Sequence, residues 1–533
     1  MPARKNHSHS KGKKHQRHHQ TQRQPHQKAE VDEVQVEEEE EPLVIPAFRI
    51  EKSEIYGRYL VANRQLEPGE LLITEQPLAI GPCVSGDPVC LGCYSPVTLD
   101  ASQYRCSACG WPLCGSKCKG LDTAVGHTAA ECKVLAGRRS LAGDLLTLGT
   151  APGQVRDLYE LIMIVRILLL RQNAPEQYAL VMRMESHSEE RRKNATLWQH
   201  YEEKVVQRLI ELWQMGDLAE AQQLHEICGI LDVNCFEIGQ NGAKARTLYP
   251  SAFLLAHDCS PNTAHTDDPG TYAILLRTSR RVHEQEALTL SYAYTLQGTL
   301  KRRSFMHEGK LFWCQCRRCA DPKELGTDCS ALACRSCQLG SIRAVQPLKQ
   351  TADWACDRCK RQVSAQEVEH QLDRINNDLE AIDVHDIPGL ENFLIRYRDV
   401  LRPNHYLLLS AKYSLCQIYG RIEGYLLPQM QLEDIARKER YCREFLAIVD
   451  VLEPGLTRLR GLIMYELHAP IMILAQIAIQ KGQISAKEFQ CRIKEVIKLL
   501  QQSRDILKLE PQGSNEHEMG SAAADALIKM GSK

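Results

Sequence analysis

Hydrophobic and polar positions divide the chain into strand-like, cysteine-rich and helical stretches. Residues 59–80 alternate between apolar and polar positions on both sides of a turn at Pro68 and Gly69, which predicts two short strands. Residues 140–231 carry apolar positions three and four apart, for example in LYELIMIVRILLL and YEEKVVQRLIELW, and this spacing predicts amphipathic helices. Residues 233–294 return to short strand and loop patterns. From about residue 365 the pattern is helical to the end of the chain.

The two ends of the chain differ in composition and in hydrophobic pattern. Within residues 1–46 a basic, histidine-rich part precedes an acidic run at 37–41, and neither part has the apolar positions that a core needs. We therefore predict a disordered tail. The C-terminal stretch, which includes HYLLLSAKYSLCQIYG, resembles stacked helical hairpins of the tetratricopeptide kind, without a clean repeat of about 34 residues.

Charge and composition narrow the class of function. A formal net charge of −1 argues against a chain that binds nucleic acid through its overall charge, and the cysteine-rich blocks lack a basic recognition helix. No secretory signal is visible, and the longest apolar run, residues 161–170, is interrupted by Arg166 and too short to cross a bilayer. We expect an intracellular protein, in the nucleus or the cytoplasm, with neither a membrane nor nucleic acid as its partner.

The 22 cysteines fall largely in C-x-x-C and C-x-C pairs, a pattern that indicates zinc in a reducing compartment. The first cysteine-rich block supplies eight ligands in four pairs, enough for two tetrahedral sites. We assign one site to Cys90, Cys93, Cys114 and Cys118, and the other to Cys106, Cys109, His127 and Cys132. A segment this small has almost no core, so metal binding must supply most of its folding free energy.

A second cysteine-rich block begins at Cys314. Cys314, Cys316 and Cys319 offer three thiolates, and a structural zinc needs a fourth ligand, for which Cys259 in LLAHDCSPNT is the candidate. Two further C-x-x-C pairs have the spacing of a zinc ribbon, with the ligands Cys334, Cys337, Cys356 and Cys359. The sequence thus predicts about four zinc ions. Most of the remaining cysteines are expected to be core thiols.

The order of these motifs resembles the SET-and-MYND (SMYD) family of protein lysine methyltransferases, and more narrowly its arthropod-specific, SmydA-type branch. The first zinc block resembles a MYND finger, a protein-interaction module. The SET-like motifs are YGRYLVANRQLEPGELLITEQPL, VNCFEI, LYPSAFLLAHDCSPNT and EALTLSYAYT, and FWCQCRRC is similar to a post-SET cysteine triplet.

The resemblance implies an α+β fold in which a MYND zinc finger interrupts a SET β-fold. Post-SET zinc, a zinc-ribbon-like segment and an all-helical domain follow. The implied segments are the tail (1–46), the first SET piece (47–82), the MYND finger (83–133), a helical insert (134–231), the SET catalytic core (232–296), the post-SET zinc segment (297–322), the ribbon-like segment (323–364) and the helical domain (365–533).

The resemblance also implies functional residues. Gly57, Arg58, Asn234, Ala256, His257 and Phe312 occupy the positions that bind S-adenosylmethionine, with the Phe312 ring over the adenine. Tyr292 occupies the methyl-transfer position, and Tyr294, expected on the same strand face, is its rival. Cys259 matches the cysteine that completes the post-SET zinc site.

Three residues depart from the family pattern. Tyr59 replaces a glycine of the cofactor turn, Ala256 replaces an asparagine, and Asp258 replaces a serine. The expected function is S-adenosylmethionine-dependent methylation of a protein lysine, on histones or on other proteins. The alternative is a catalytically degenerate SET and MYND scaffold that binds protein partners. In both cases a peptide partner of the MYND finger is expected.

Overall fold

The computed structural model describes residues 45–84, 87–98, 103–137, 152–239 and 244–531. The predicted tail lies outside these ranges except for its last two positions. The predicted helical residues 140–151 lie outside them as well.

The first SET piece consists of four short strands: β1 (Phe48–Ser53), β2 (Gly57–Ala62), β3 (Leu71–Glu75) and β4 (Ala79–Pro82). β1 and β2 form an antiparallel hairpin in which Glu51 lies opposite Tyr59. The prediction of two strands within residues 59–80 is wrong, because three strands, β2, β3 and β4, overlap this range. The second run breaks between β3 and β4, where Pro77 has no N–H to donate to a strand partner.

Helices fill the region between the zinc finger and the SET core. They are α1 (Ala129–Gly137), α2 (Pro152–Asn173), α3 (Pro175–Val181), α4 (Ser188–Lys193), α5 (Ala195–Tyr201) and α6 (Ala221–Asn234), with π-helical turns at Glu202–Val206 and Arg208–Leu212. The apolar run predicted as a buried helix lies in α2, with Leu161, Ile162 and Val165 fully buried. A Cβ added at Gly81 of β4 would lie 2.7 Å from the Met163 Cβ, so this glycine permits close packing of α2 on the strand.

Six more short strands complete the SET core: β5 (Phe236–Ile238), β6 (Ala245–Leu248), β7 (Ala256–His257), β8 (Thr263–Asp267), β9 (Ile274–Thr278) and β10 (Thr289–Leu290). They form two antiparallel sheets, in the orders β3-β9-β8 and β4-β6-β5, and β7 pairs in parallel with β10. Asn262 fixes this crossing, because its side chain accepts the Thr289 N–H at 2.8 Å and donates to the Ala287 carbonyl at 2.8 Å.

The post-SET segment contains α7 (Thr299–Lys310) and the short α8 (Arg317–Ala320). The ribbon-like segment follows as an antiparallel sheet of β11 (Leu332–Ala333), β12 (Ser341–Ala344), β13 (Trp354–Cys356) and β14 (Gln362–Val363), paired in sequence order. One C-x-x-C turn joins β11 to β12 and the other joins β13 to β14, so the sheet brings the two predicted ligand pairs together.

The C-terminal part is all helical: α9 (Ala365–Glu380), α10 (Ile387–Tyr397), α11 (Tyr406–Ile418), α12 (Leu432–Leu452), α13 (Arg458–Gln480), α14 (Ala486–Leu507) and α15 (Asn515–Gly531). Capping boxes at Ser364 and Ser485 begin α9 and α14. These helices, together with the small sheets, confirm the α+β fold class.

Helix α13 is the one helix of the described residues that is long and apolar enough to cross a membrane. It packs against both α12 and α14, and its Met464, Leu467 and Ile471 are buried in the helical core. A core helix of this kind meets the same criterion of length and hydropathy as a membrane span. The expectation of no membrane contact stays a prediction.

The helical domain contacts the SET core through the loop between α12 and α13. The Leu456 N–H donates to the Ser279 carbonyl at 2.6 Å, and the Thr295 hydroxyl donates to the Glu453 carboxylate at 2.6 Å. Gly455 has a φ of +91°, and a Cβ there would lie 2.0 Å from the Ser279 oxygen. Only glycine therefore allows this close approach.

Candidate functional site

The structure brings the sixteen predicted metal ligands together in four groups of four, and the ligand atoms of each group lie within 4.8 Å of one another. The groups have the predicted memberships: Cys90, Cys93, Cys114 and Cys118; Cys106, Cys109, His127 and Cys132; Cys259, Cys314, Cys316 and Cys319; and Cys334, Cys337, Cys356 and Cys359. Thiolates bound tetrahedrally to one zinc ion at about 2.3 Å lie about 3.8 Å apart. Thiol pairs here, such as Cys90 with Cys118, are 3.6 Å apart. The geometry therefore fits about four structural zinc ions.

His127 is oriented by a buried ion pair that the sequence did not reveal. Its Nδ1 lies 3.0 Å from a Glu131 carboxylate oxygen, which directs Nε2 toward Cys109 at 3.4 Å. Arg166 of α2 donates through Nε to the other Glu131 oxygen at 2.6 Å. Burial by itself would raise the pKa of Glu131, but Arg166 and His127 outweigh it and hold that pKa below its usual range. The pair fixes the tautomer and the orientation of a zinc ligand.

Arg166 also connects three parts of the molecule. Its guanidinium donates to the Ile80 carbonyl of β4 at 2.8 Å and to the Leu91 carbonyl of the zinc finger at 3.0 Å. An arginine inside an apolar helical run was the available signal, because a buried arginine requires an acidic partner. The sequence did not identify that partner, which lies 35 residues away.

Buried charges also support the post-SET zinc site. Arg302 donates to the Cys259 sulfur at 3.3 Å, and both Arg302 and Arg318 donate to one Glu324 oxygen at 2.9 Å. Burial alone would raise the pKa of Glu324, but the two guanidinium groups lower it to about 2. The positive charges offset the negative charge that four thiolates accumulate around one ion.

Tyr292, His257 and Phe312 meet beside this zinc site. The His257 Nδ1 accepts the Tyr292 N–H at 3.0 Å, and its Nε2 lies 3.2 Å from the Cys259 sulfur. The Phe312 and His257 ring centroids are 5.9 Å apart. The Tyr292 hydroxyl donates to the Leu255 carbonyl. Burial raises the pKa of Tyr292, so its hydroxyl stays protonated at neutral pH.

Tyr294 does not share a strand face with Tyr292, contrary to the expectation. Strand β10 ends at Leu290, and the chain bends at Tyr292 and Ala293, between the two tyrosine side chains. Tyr294 is 77% exposed, whereas Tyr292 packs against the post-SET cluster. The geometry favours Tyr292 as the residue of the site.

The predicted cofactor turn has space beside it. Gly57 has a φ of +65°, and a Cβ placed there would meet no atom within 4 Å. The Arg58 guanidinium donates to the Arg183 carbonyl of the helical insert and lies 5.7 Å from the Phe253 ring centroid. Tyr59 points across the hairpin, where its hydroxyl donates to Glu51 at 3.4 Å and its ring lies 5.2 Å from that of Tyr56.

Two of the predicted cofactor-binding residues, Asn234 and Ala256, have no free polar side-chain N–H for the cofactor. Asn234 ends α6, and its side-chain N–H groups already donate to the Glu185 and Ile230 carbonyls, both at 2.8 Å. Ala256 is buried in β7 and offers only its backbone. Asp258 turns back to accept the Ser260 N–H at 2.8 Å. The cofactor roles of Asn234 and Ala256 stay predictions.

The residues at the predicted cofactor positions offer groups that can bind the separate parts of S-adenosylmethionine. Phe312 offers an aromatic face for the adenine. Arg58 offers a cation for the carboxylate, and the backbone at Gly57 can be approached closely.

Known proteins resemble the chain over most of its length. No protein-family model matches it. It is 28% identical over 445 residues to SET domain-containing protein SmydA-8, isoform B, of Drosophila melanogaster, which covers 79% of this chain and 91% of that protein. It is 28% identical over 292 residues to Histone-lysine N-methyltransferase SMYD3 of Homo sapiens, which covers 52% of this chain and 62% of that protein.

A plant relative extends the comparison. The chain is 27% identical over 271 residues to Histone-lysine N-methyltransferase ASHR1 of Arabidopsis thaliana, which covers 50% of this chain and 53% of that protein. These relatives confirm the resemblance to SET and MYND domain proteins, and the Drosophila protein fits the arthropod branch. Relatives with a SET domain imply S-adenosylmethionine as the cofactor, beside the zinc ions that the four ligand groups fit.

Proposed function

We propose that this chain, a SET and MYND domain protein, is an S-adenosylmethionine-dependent protein-lysine methyltransferase with Tyr292 at the methyl-transfer point. The observation that carries the proposal is the meeting of Tyr292, His257 and Phe312 at the post-SET zinc ligands. In the reaction an N–CH3 bond forms as the S–CH3 bond of the cofactor breaks, with the electron pair leaving on sulfur.

The side chains of the site orient the reactants. Because the Tyr292 hydroxyl donates its proton to the Leu255 carbonyl, its lone pairs can accept an N–H from an incoming amine. His257 fixes the backbone of Tyr292 and links it to the zinc ligand Cys259. A zinc ion held by Cys259, Cys314, Cys316 and Cys319 would brace the wall of the site in a structural role. Catalysis of this kind depends on proximity and on preoriented dipoles.

The substrate class is a lysine in another protein. The human and Arabidopsis relatives are named as histone-lysine N-methyltransferases, so histone tails are the first substrates to test, followed by non-histone proteins. We propose that the MYND finger binds a peptide partner. We also propose that the protein acts in the nucleus or the cytoplasm, where a reducing environment keeps its thiolates available for zinc.

The test begins with calorimetric titration of the zinc-loaded full-length protein with S-adenosylmethionine, and we expect micromolar affinity. Transfer of a labelled methyl group to histones is then compared for the wild type, Tyr292→Phe and Tyr294→Phe. We expect Tyr292→Phe to lower kcat by roughly 10²-fold with donor affinity unchanged. The exposed Tyr294 provides the matched control, and its variant should retain full activity. Equal activity of the two variants would contradict the role of Tyr292.

The second candidate function is a binding scaffold with an inactive SET fold. Two observations favour it: the Asn234 amide is already hydrogen-bonded to protein carbonyls, and Ala256 has no polar side chain. One lost side-chain hydrogen bond weakens binding by about 0.5–1.5 kcal/mol, which lowers cofactor affinity without abolishing it. If the folded, zinc-loaded protein does not bind the donor at near-millimolar concentration, the scaffold is the correct function.

A further inference from the structure

Lys310, the last residue of α7, lies near the Tyr292 ring at the predicted methyl-transfer position. Its Nζ donates to the Asp232 carbonyl at 2.9 Å and to the Val233 carbonyl at 2.8 Å, at the C-terminal end of α6. The same Nζ lies 5.9 Å from the centroid of the Tyr292 ring. Lys310 stands two residues before Phe312 in the sequence, so one short segment supplies both side chains.

Two backbone carbonyl oxygens hold the Lys310 Nζ in place and favour its charged form. The carbonyl groups at a helix C-terminus carry partial negative charge, and two of them accept its N–H groups. Burial keeps the pKa of Lys310 below its usual range, because the nearby Asp232 carboxylate offsets the effect of burial only in part. The Asp232 carboxylate also forms an ion pair with Arg191 at 2.5 Å. Its negative charge is therefore shared between Arg191 and Lys310.

Methyl transfer needs a neutral amine, and a free lysine side chain with a pKa of about 10.4 is almost wholly protonated at pH 7. A fixed like charge within about 4–6 Å disfavours the protonated form of a second amine. A neighbouring cationic group is one of the general ways in which a lysine becomes nucleophilic at neutral pH.

We propose that Lys310 is a fixed cation that keeps the incoming substrate lysine in its neutral, nucleophilic form. This inference rests on the proposed methyltransferase function and on the position of Tyr292 in it. The proton that the substrate ammonium loses goes to solvent before transfer, and Lys310 itself exchanges no proton and forms no bond. Lys310 acts through the substrate amine and is therefore a positioning residue. The same cation repels a protonated substrate, so it should raise KM for the peptide while it raises kcat near neutral pH.

A structural role for Lys310, as a cap of α6, predicts different behaviour. Lys310→Met removes the charge and the hydrogen bonds while it keeps the apolar stem. Lys310→Arg keeps a permanent charge near the same carbonyl groups. Zinc content and thermal melting of both variants show whether each is folded.

The experiment measures kcat and KM for a lysine-rich histone-tail peptide between pH 6.5 and 9.5, with the zinc-loaded full-length wild type, Lys310→Arg and Lys310→Met. In the plot of kcat against pH, the rise on the acidic side (the acid limb) reports the ionisation of the bound substrate amine. We expect this limb to move up by about one pH unit or more in Lys310→Met, with kcat near pH 7 about tenfold lower and KM not raised. Lys310→Arg should keep the wild-type limb.

An unchanged limb in a folded Lys310→Met variant overturns the inference and leaves the methyltransferase function standing. An equal loss of kcat in both variants at every pH also overturns it, because that result is the signature of a structural cap. A wild-type protein that transfers no methyl group even at pH 9.5, where substrate amines are more often neutral, overturns the proposed function itself.

Discussion

Replacing Glu324 by Gln should destabilise the post-SET region more than a single substitution usually does. The Glu324 side chain is 2% exposed, and the side chains of its partners Arg302 and Arg318 are fully buried. One carboxylate oxygen accepts from both arginines at 2.9 Å, and the Ser330 hydroxyl donates to the other oxygen. Glutamine keeps the shape and removes the charge. Two buried guanidinium groups then lose their shared counter-ion.

Two estimates give the same magnitude. Removing one partner of a buried ion pair costs about 3–5 kcal/mol, because the remaining charge is left without compensation. The carboxyl pKa falls from about 4.3 in the unfolded chain to about 2 in the folded protein, which is worth about 3 kcal/mol at neutral pH. Since the folded pKa is depressed, this stability is present above about pH 4.3 and is lost as the pH falls toward 2.

The assay is urea unfolding of the zinc-loaded protein, followed by circular dichroism and by zinc release to a chromogenic chelator. We expect Glu324→Gln to lose about 3 kcal/mol at pH 7 and the same amount at pH 5, because both values lie above the pH range in which Glu324 titrates. Glu308→Gln on α7 is the matched control, since Glu308 is exposed, and it should change stability by less than about 0.5 kcal/mol.

A loss in Glu324→Gln as small as that of the Glu308 control would refute the reasoning. Such a result would mean that the thiolates near Arg302 already compensate the guanidinium charge. A loss that differs between pH 5 and pH 7 would equally contradict the assigned pKa.

Three further predictions concern the zinc finger, the domain junction and the ribbon. Arg166→Met leaves the Glu131 carboxylate buried without its arginine, so we expect a loss of about 3–5 kcal/mol and faster zinc release, with Arg171→Met on the same helix as an exposed control. Gly455→Ala places a Cβ 2.0 Å from the Ser279 oxygen at a positive φ and should cost about 3 kcal/mol or more in thermal melting. The control is Gly482→Ala: Gly482 also has a positive φ, but a Cβ there would meet no atom within 4 Å, so this variant should cost only about 1–2 kcal/mol. Cys356→Ser removes one ligand of the ribbon and should lower the bound zinc from about four ions to about three by metal analysis, whereas the exposed Cys491→Ser should leave it unchanged.

The zinc sites show how far local sequence determines structure. A C-x-x-C pair places two thiolates on one turn, so the spacing alone indicates a ligand pair, and all four predicted groups come together in the fold. The assignment of Cys259 to a triplet 55 residues away also succeeded, because three thiolates require a fourth ligand. Of the cysteines outside the sites, Cys491 is exposed and Cys235 is partly buried, and the other five are buried as expected of core thiols.

The sequence by itself determined the metal ligands and most of the helical and strand-like stretches, because these depend on periodicity and on spacing within short segments. The tertiary structure alone decided which charges are paired and which side chains share the site. The partner of Arg166, the separation of Tyr292 from Tyr294, the direction of Tyr59 and the approach of Lys310 to Tyr292 all depend on where separate segments pack. Such contacts join residues that are far apart in the chain or lie beyond the end of a strand, and no local pattern encodes their distance or orientation.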